Sequence, residues 1–183
     1  MSRAFVLGFW LVVFAVSAFS QSSVLEPTGY RMQDYRGPTP TNLAGARVLT
    51  TREAEELWKG GAAFVNVLPH PPRPTNLPPG TLWHEKPHMD IPGSIWLPDT
   101  GYGALASSTE RYLRDGLARI TRRDRSRWFV VYCQKDCWMS WNAAKRALTM
   151  GYKNVAWYPD GIDGWQASGL PVQQAEPAPA NDE

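Results

Sequence analysis

The sequence predicts an α/β fold: one domain with a mainly parallel central sheet flanked by helices. Segments with helical patterning alternate with short apolar runs of strand length, and a glycine pair joins the first helix to the first strand. The length of 183 residues suffices for one domain with a complete core. The formal net charge of +2 is close to balance, which gives no indication that nucleic acid is a partner.

The first twenty residues predict a signal peptide. Arg3 precedes an apolar run at positions 4–19, and small residues at positions 18 and 20 suit cleavage before Gln21. The run is shorter than the roughly 20 apolar residues that a membrane-spanning helix needs, so cleavage is favoured over a membrane anchor. The mature protein is therefore expected to be exported, to have no membrane as partner, and to meet an oxidising environment in which disulfides persist.

Regular structure is predicted to follow an extended, irregular lead-in at 21–48, which is rich in proline, glycine and threonine. Thr50 and Glu53 have the spacing of a capping box, and Gly60 provides a stop, so a helix of two to three turns is predicted between them. The apolar, β-branched run at 62–68 then predicts the first strand.

The proline-rich segment 69–93 predicts a long loop, because proline fits neither a helix interior nor an interior strand. Beyond it, strands are predicted at 94–98, 127–132 and 154–158. Helices are predicted at 107–120, with a capping box between Ser107 and Glu110, and from Met139 or Ser140 to Gly151. A turn-rich return follows at 159–172. The polar tail 173–183 is expected to be disordered. The folded domain is thus predicted at 49–172.

Both cysteines of the chain lie in the stretch YCQKDCWMSW at 132–141. Cys133 directly follows an apolar strand and faces the start of a helix, where free backbone N–H groups and the helix dipole favour an anion. A thiolate is stabilised there, so we predict a reactive Cys133 with Cys137 as its partner. The alternative, a buried and inert cysteine, is more typical of positions within an element than of a strand-to-helix loop.

The segment from about Leu49 to Val172 resembles a rhodanese-like domain. TTREAEELWKGGAAFVNVL resembles the opening helix and first core strand of that family, DIPGSIWLP its H-I-P-G-A segment, and VVYC the strand that delivers its catalytic cysteine. The ending GYKNVAWYPDGIDGWQASGLPV matches the family's closing pattern. The resemblance implies a catalytic role for Cys133, with Cys137 beside it, and a substrate site lined by the loop residues Gln134, Lys135, Asp136, Trp138, Met139 and Ser140.

A narrower resemblance rests on YCQKDCWMSWNAAKRA together with the lead-in YRMQDYRGPTP. These stretches are similar to the family named for a CXXCW motif and associated with pyrroloquinoline quinone (PQQ)-dependent catabolism. That likeness implies a periplasmic location and a role in PQQ-dependent alcohol oxidation, with a quinoprotein alcohol dehydrogenase, its cytochrome or its solute-binding protein as partner. Three residues separate Cys133 from Cys137 here, one more than the family's name states.

Two departures from the sulfurtransferases bear on activity. Their core strand usually ends in an aspartate and an arginine, where this chain has Asn66-Val67-Leu68. Their loop arginine is replaced by Met139, which cannot donate a hydrogen bond to an oxyanion. The same replacement argues against phosphatase activity, because the C-x5-R phosphatases hold phosphate through that arginine. Lys135 is the one cation left in the loop.

Three uses of the cysteine pair stay open. In the first, Cys133 holds a persulfide and passes on its outer sulfur. In the second, the pair cycles between dithiol and disulfide while Trp138 shields it. In the third, the pair is a permanent disulfide that staples a non-catalytic binding module. An exposed persulfide beside a second thiol is expelled as sulfide, and the disulfide is left behind. Redox or binding use is therefore favoured over sulfurtransferase activity.

The aromatic and histidine side chains raise the question of a cofactor or metal. Trp138 and Trp141 lie on or next to the loop, where a flat aromatic wall would suit a planar quinone such as PQQ. His70, His84 and His88 all fall in the proline-rich loop, where a proline between the last two argues against a helical ligand pair. We therefore predict no metal site and hold contact with PQQ as a hypothesis.

Overall fold

The computed structural model describes residues 24–180, so the predicted signal peptide at 1–20 lies outside the described residues. The α/β architecture with a mostly parallel central sheet is confirmed. The strands are β1 Arg47–Val48, β2 Ala63–Asn66, β3 Met89–Asp90, β4 Ile95–Trp96, β5 Phe129–Tyr132, β6 Val155–Tyr158 and β7 Gln173–Gln174. The helices are α1 Thr51–Lys59, α2 Ser107–Ile120, α3 Trp138–Thr149 and α4 Gly161–Ala167. Within 24–180, none of these helices is long and apolar enough to cross a membrane.

The central sheet has five parallel strands in the order β1-β6-β5-β2-β4. Its middle strand, β5, is buried along its whole length, with Val131 in register between Val65 of β2 and Trp157 of β6. Successive residues of a strand point to opposite faces of the sheet. The sheet has a hydrophobic core on each face, and Tyr132 and Cys133 therefore pack into different ones. Cys133 lies in the core between the sheet and helices α2 and α3, and Tyr132 lies in the core between the sheet and helices α1 and α4.

Helix α1 begins with the predicted capping box. The Glu53 amide donates to Thr50 Oγ1 at 3.3 Å, and the Glu53 carboxylate accepts from the Thr50 amide at 2.9 Å. The same carboxylate accepts from the Arg47 guanidinium at 2.9 Å. The Thr50 amide and the Arg47 guanidinium lower the pKa of Glu53 from 4.5 to about 2.

We expect the capping box to make stability depend on pH between the ordinary pKa of Glu53, 4.5, and its folded value of about 2. A carboxyl whose pKa is lowered on folding stabilises the fold above its unfolded pKa, and this contribution is lost as protons bind the folded state. Glu53→Gln should therefore flatten the fall of the melting temperature in acid, whereas Glu55→Gln, on the same helix outside the capping box, should not. Equal curves for wild type and Glu53→Gln would contradict this role.

Sequence patterning misses four short elements: β1 in the lead-in, β3 in the proline-rich loop, α4 in the return and β7 in the tail. The prediction of a disordered tail from residue 173 is wrong for residues 173–180. There β7 pairs antiparallel with β3, and the Ala178 amide donates to the Trp96 carbonyl at 2.8 Å. The strands among these elements are two residues long and are held by backbone hydrogen bonds, which leave no side-chain period in the sequence.

Two helix starts differ from prediction. The Glu110 amide already donates to the Ala106 carbonyl at 2.9 Å, so Ser107 lies inside α2 and the predicted capping box between Ser107 and Glu110 does not form. Helix α3 starts at Trp138 rather than at Met139 or Ser140, with Cys137 as its N-cap. The second cysteine therefore stands at the boundary between loop and helix.

Candidate functional site

Cys133 and Cys137 form a disulfide at the carboxyl end of the central sheet. Cys133 follows β5 and Cys137 precedes α3, and their Cα atoms lie 6.4 Å apart, within the usual range for a disulfide. Both cysteines are buried, with 0% and 2% of their surface exposed. The pair that the sequence singles out is therefore brought together, oxidised and shielded from solvent.

The residues between the two cysteines form an exposed arch. Gln134 is half-buried, and Lys135 and Asp136 are exposed. Asp136 takes the left-handed backbone conformation, with a φ of 53°, which turns the chain back toward the helix. Solvent therefore meets the amide, the cation and the carboxylate of the arch before it meets sulfur.

The predicted loop residues that follow Cys137 form a buried base. Trp138, Met139 and Ser140 belong to the first turn of α3 and expose at most 3% of their surface. Ser140 Oγ donates to the Cys137 carbonyl at 3.1 Å and accepts from Trp157 Nε1 at 3.0 Å. Ser140 thus holds the Cys137 backbone, and none of the three side chains lines an open site.

A short stretch of the lead-in, residues 35–37, lies antiparallel to the disulfide loop, and we call it the strap. The Gly37 amide donates to the Asp136 carbonyl at 2.9 Å, and the Trp138 amide donates to a strap carbonyl at the same distance. Arg36 adds a bond from Nη1 to a carbonyl of the arch at 2.9 Å. The strap thus covers the side of the loop on which Cys137 lies.

The start of α4 holds the other side of the loop. The Ile162 amide donates to the Cys133 carbonyl at 2.9 Å, and the Lys135 amide donates to Asp163 Oδ2 at 3.1 Å. Free amides at a helix start are the donors that would hold an anion. The amide of Trp138, the first residue of α3, already bonds to the strap, and the Lys135 amide of the loop already bonds to Asp163, so neither is free for an anion.

The proposed aromatic wall, Trp138 and Trp141, is covered by other side chains. Trp141 is fully buried, donates from Nε1 to the Asn42 carbonyl at 3.2 Å, and has Lys145 Nζ over its ring at 4.7 Å. Trp138 is 3% exposed and has the Arg31 guanidinium over its ring at 5.2 Å. The structure offers a planar quinone no accessible tryptophan face at this position.

A buried asparagine that sequence reasoning passed over fixes the lead-in. Asn142 of α3 accepts from the Arg31 amide and donates to the Arg31 carbonyl, both at 2.9 Å, and it also donates to the Gly101 carbonyl at 3.0 Å. The available signal was an asparagine on an otherwise apolar helical stretch. Asn142 therefore attaches the segment that leads into the strap to the helix that Cys137 caps.

A buried polar cluster lies on the other face of the sheet, beside the disulfide strand. Asp90 is fully buried; its Oδ1 accepts from Asn66 Nδ2 at 3.0 Å and from the Tyr132 hydroxyl, and its Oδ2 lies 3.5 Å from His88 Nε2. Burial, reinforced by the Asp90 charge, raises the pKa of Tyr132 well above its ordinary value. Tyr132 therefore stays a neutral donor, and Asn66, which differs from the family's aspartate, has a carboxylate partner.

Replacing Tyr132 by phenylalanine is expected to lower the free energy of unfolding by about 1–3 kcal/mol, because a buried carboxylate loses a donor. The matched control is Tyr158→Phe on the neighbouring strand, whose hydroxyl donates to Thr51 Oγ1 at 2.9 Å; its loss should cost about 1 kcal/mol, as for a neutral hydrogen bond. Urea unfolding of both variants measures the difference. Equal losses would contradict a special role for the Asp90 carboxylate.

A cleft of about 480 Å³ opens beside the arch. Leu68, His88, Gln134, Ile162 and Gln166 are among the residues that line it, and neither cysteine is. A molecule in this cleft would therefore touch the arch at Gln134 and would reach sulfur only after the loop or the strap moved.

The three histidines do not gather into a metal site. His70 and His88 both stack on Trp96, with ring centroids 5.5 Å and 3.8 Å from it, and His70 pairs with Glu85 at 3.1 Å. His84 is exposed. Within the part of the chain that the structure describes, no group of three or more His, Cys, Asp or Glu side chains could hold a metal ion.

Comparison with known structures gives fold relatives of low sequence identity. The thiosulfate sulfurtransferase from Pseudomonas aeruginosa is 21% identical, covers 72% of this chain and superposes with a TM-score of 0.49; this chain spans about a fifth of its length, 21%. The polysulfide-sulfur transferase homodimer from Wolinella succinogenes is 18% identical over 71% of this chain and 80% of its own, with a TM-score of 0.47. The rhodanese-like domain of an Anabaena sp. protein is 17% identical over 77% of this chain and 90% of its own, with a TM-score of 0.45.

The sequence itself matches a known domain family. No curated protein matches the chain. The profile of the rhodanese-like domain, however, matches residues 51–168, which is well over half of the chain and spans α1, the disulfide loop and α4. The chain belongs to the rhodanese-like domain family.

Proposed function

We propose that this rhodanese-like domain acts as a thiol-disulfide redox protein whose active pair, Cys133 and Cys137, is gated by the strap. The observation that carries the proposal is the disulfide itself, which joins the cysteine at the family's catalytic position to a partner at the N-cap of the next helix. While Cys133 is oxidised, its sulfur is not a thiolate and cannot attack a sulfur donor. Reduction therefore precedes any other chemistry at this position.

The redox step uses one dithiol partner. A thiolate of the partner attacks one sulfur of the disulfide, a mixed disulfide forms, and the other cysteine leaves as a thiolate. The second thiol of the partner then displaces the first cysteine, so two electrons enter the pair, the partner is left as a disulfide, and the two thiolates take up protons according to their pKa values. Both cysteines are buried, so their cover must open first; in this proposal the strap, which is bonded to the loop at Asp136 and Trp138, is the part that moves.

The cellular setting is part of the proposal. The predicted signal peptide at 1–20 supports export, and the resemblance to the PQQ-associated CXXCW family supports a periplasmic role beside a quinoprotein alcohol dehydrogenase, its cytochrome or its solute-binding protein. The quinone chemistry would belong to that partner. Co-purification of the tagged protein from the periplasm of cells grown on an alcohol tests this setting, and recovery of none of these three partners would contradict it.

Equilibration of the mature protein with glutathione buffers tests the redox function. After acid quench and alkylation, mass spectrometry of the peptides that contain Cys133 and Cys137 gives the fraction of dithiol. We expect reversible interconversion of both forms with the far-UV circular dichroism unchanged. A pair that stays oxidised until the protein unfolds would overturn the proposal and assign the disulfide to a structural staple in a non-catalytic binding module.

Sulfur transfer is the second candidate, because Cys133 stands at the end of β5 where the family places its catalytic cysteine. In this account the reduced Cys133 accepts the outer sulfur of thiosulfate, sulfite leaves, and a thiol acceptor takes the sulfur in turn. Reduced protein treated with thiosulfate and quenched in acid would then carry one extra sulfur atom on Cys133. A disulfide with release of sulfide would instead favour the redox account.

A further inference from the structure

A second cleft, of about 500 Å³, lies at the far end of α3 from the disulfide. The residues that line it include Tyr30, Glu110, Arg114, Arg125, Arg146, Thr149 and Tyr152. The rise of an α-helix places Thr149 about 16 Å along the axis from the first residue of α3. The cleft is therefore separate from the disulfide loop and from the cleft beside it.

The cleft is positively charged, with three arginines against one glutamate. Arg146 is only 6% exposed, and Nη2 donates to the carbonyls of Tyr102 at 3.1 Å and Gly103 at 2.8 Å, while the Tyr30 ring stacks on its guanidinium at 4.3 Å. Among residues 24–180, no carboxylate lies within ion-pairing distance of Arg146. Burial lowers the pKa of Arg146, and the charge of Glu110, which is not in contact with it, opposes this shift.

The other two arginines face the cleft with spare donors. Arg114 forms one ion pair, to Glu110 at 3.2 Å, and both side chains are largely exposed, at 62% and 44%. The guanidinium of Arg125 forms no hydrogen bond or ion pair to any side chain in the described part of the protein. An exposed single pair contributes little to stability, so these arginines are not explained by the fold.

We propose that this cleft, lined by Arg114, Arg125 and Arg146, is a binding site for a small organic anion that carries two or more carboxylate or phosphate groups. Arginine presents a planar fork of donors that matches both oxyanions. The exposed forks of Arg114 and Arg125, beside the buried positive charge of Arg146, suit a ligand with more than one charge. The volume of about 500 Å³ is in the range of small-molecule sites. Tyr30 and Tyr152 supply apolar walls for the carbon frame of the ligand.

Isothermal titration with citrate and with inorganic phosphate, at constant ionic strength on the mature protein, tests the site. We expect saturable one-to-one binding that Arg125→Gln weakens about tenfold, as for the loss of one charge-assisted contact. Arg73→Gln, which removes the same charge from an exposed position outside the cleft, is the matched control and should leave the affinity unchanged. Tighter binding of citrate points to a polycarboxylate ligand, and tighter binding of phosphate points to a phosphate ester.

Glu110→Gln provides a test in the opposite direction. It removes the one carboxylate of the cleft and frees Arg114, so citrate should bind several-fold more tightly than to wild type. Three results would overturn the proposal: no saturable binding of either anion, equal weakening by Arg73→Gln and Arg125→Gln, or no gain with Glu110→Gln. Circular dichroism of each variant confirms that the fold is retained, and all three positions are on the surface or half-buried.

Discussion

Replacing Gly161 by alanine is expected to lower the free energy of unfolding by about 3 kcal/mol. One part is the cost of holding an alanine in the left-handed backbone conformation, and the other is the steric overlap of its Cβ with packed neighbours. Gly161 is the first residue of α4 and has a φ of +52°. A Cβ there would overlap the carbonyl group of Cys133 and lie 2.9 Å from the Cα of Gln134. Since both obstacles are backbone, neither can rotate away, and the disulfide loop and α4 must separate.

Gly169 offers the matched control for this prediction. Its φ of +70° imposes the same kind of backbone cost, but a Cβ there would meet nothing within 4 Å. Gly169→Ala should therefore cost only about 1–2 kcal/mol, the left-handed contribution alone. Chemical unfolding of both variants separates the two effects, and equal losses would show that the close approach of α4 to the disulfide loop does not constrain position 161.

The elements with strong side-chain patterns could be predicted from the sequence. Thr50, Glu53 and Gly60 mark the ends of α1 because capping and stop signals lie within the segment itself. Strand β5 is recognisable because all four of its residues are apolar or aromatic, and the structure buries all of them. The small strands β1, β3 and β7 could not be predicted, since their backbone partners lie far along the chain and their side chains carry no pattern.

At the candidate site, the sequence identified the cysteine pair but not what covers it. The position of Cys133 after an apolar strand and the spacing to Cys137 predict a close pair, and the structure joins them. The strap could not be predicted, because it is held to the loop by hydrogen bonds between residues about 100 positions apart. The Gly37 amide donates to the Asp136 carbonyl, and the Arg36 side chain donates to the Lys135 carbonyl across a separation of 99. The cluster around Asp90 could not be predicted either, because Asn66, Asp90 and Tyr132 lie on three different strands that are far apart in the sequence.

Replacing Gly37 by proline is expected to speed reduction of the Cys133–Cys137 disulfide by dithiothreitol about tenfold. The amide of Gly37 donates to the Asp136 carbonyl at 2.9 Å, and proline has no such donor. Its ring also fixes φ near −65°, whereas Gly37 has a φ of +156°. The lost hydrogen bond contributes about 1 kcal/mol, and the backbone strain adds to it. Together they raise the population of protein with an opened strap by about a factor of ten.

Gly29→Pro is the control, because Gly29 lies in the same lead-in but is not part of the strap. Alkylation of samples quenched in acid over time, followed by mass spectrometry, gives the rate of reduction for each protein. An unchanged rate for Gly37→Pro would mean that the strap does not gate the disulfide, and an equal acceleration by Gly29→Pro would mean that general loosening of the lead-in is sufficient. Acceleration by Gly37→Pro alone ties access to sulfur to the strap, because cysteines that are 0% and 2% exposed can react only after their cover opens.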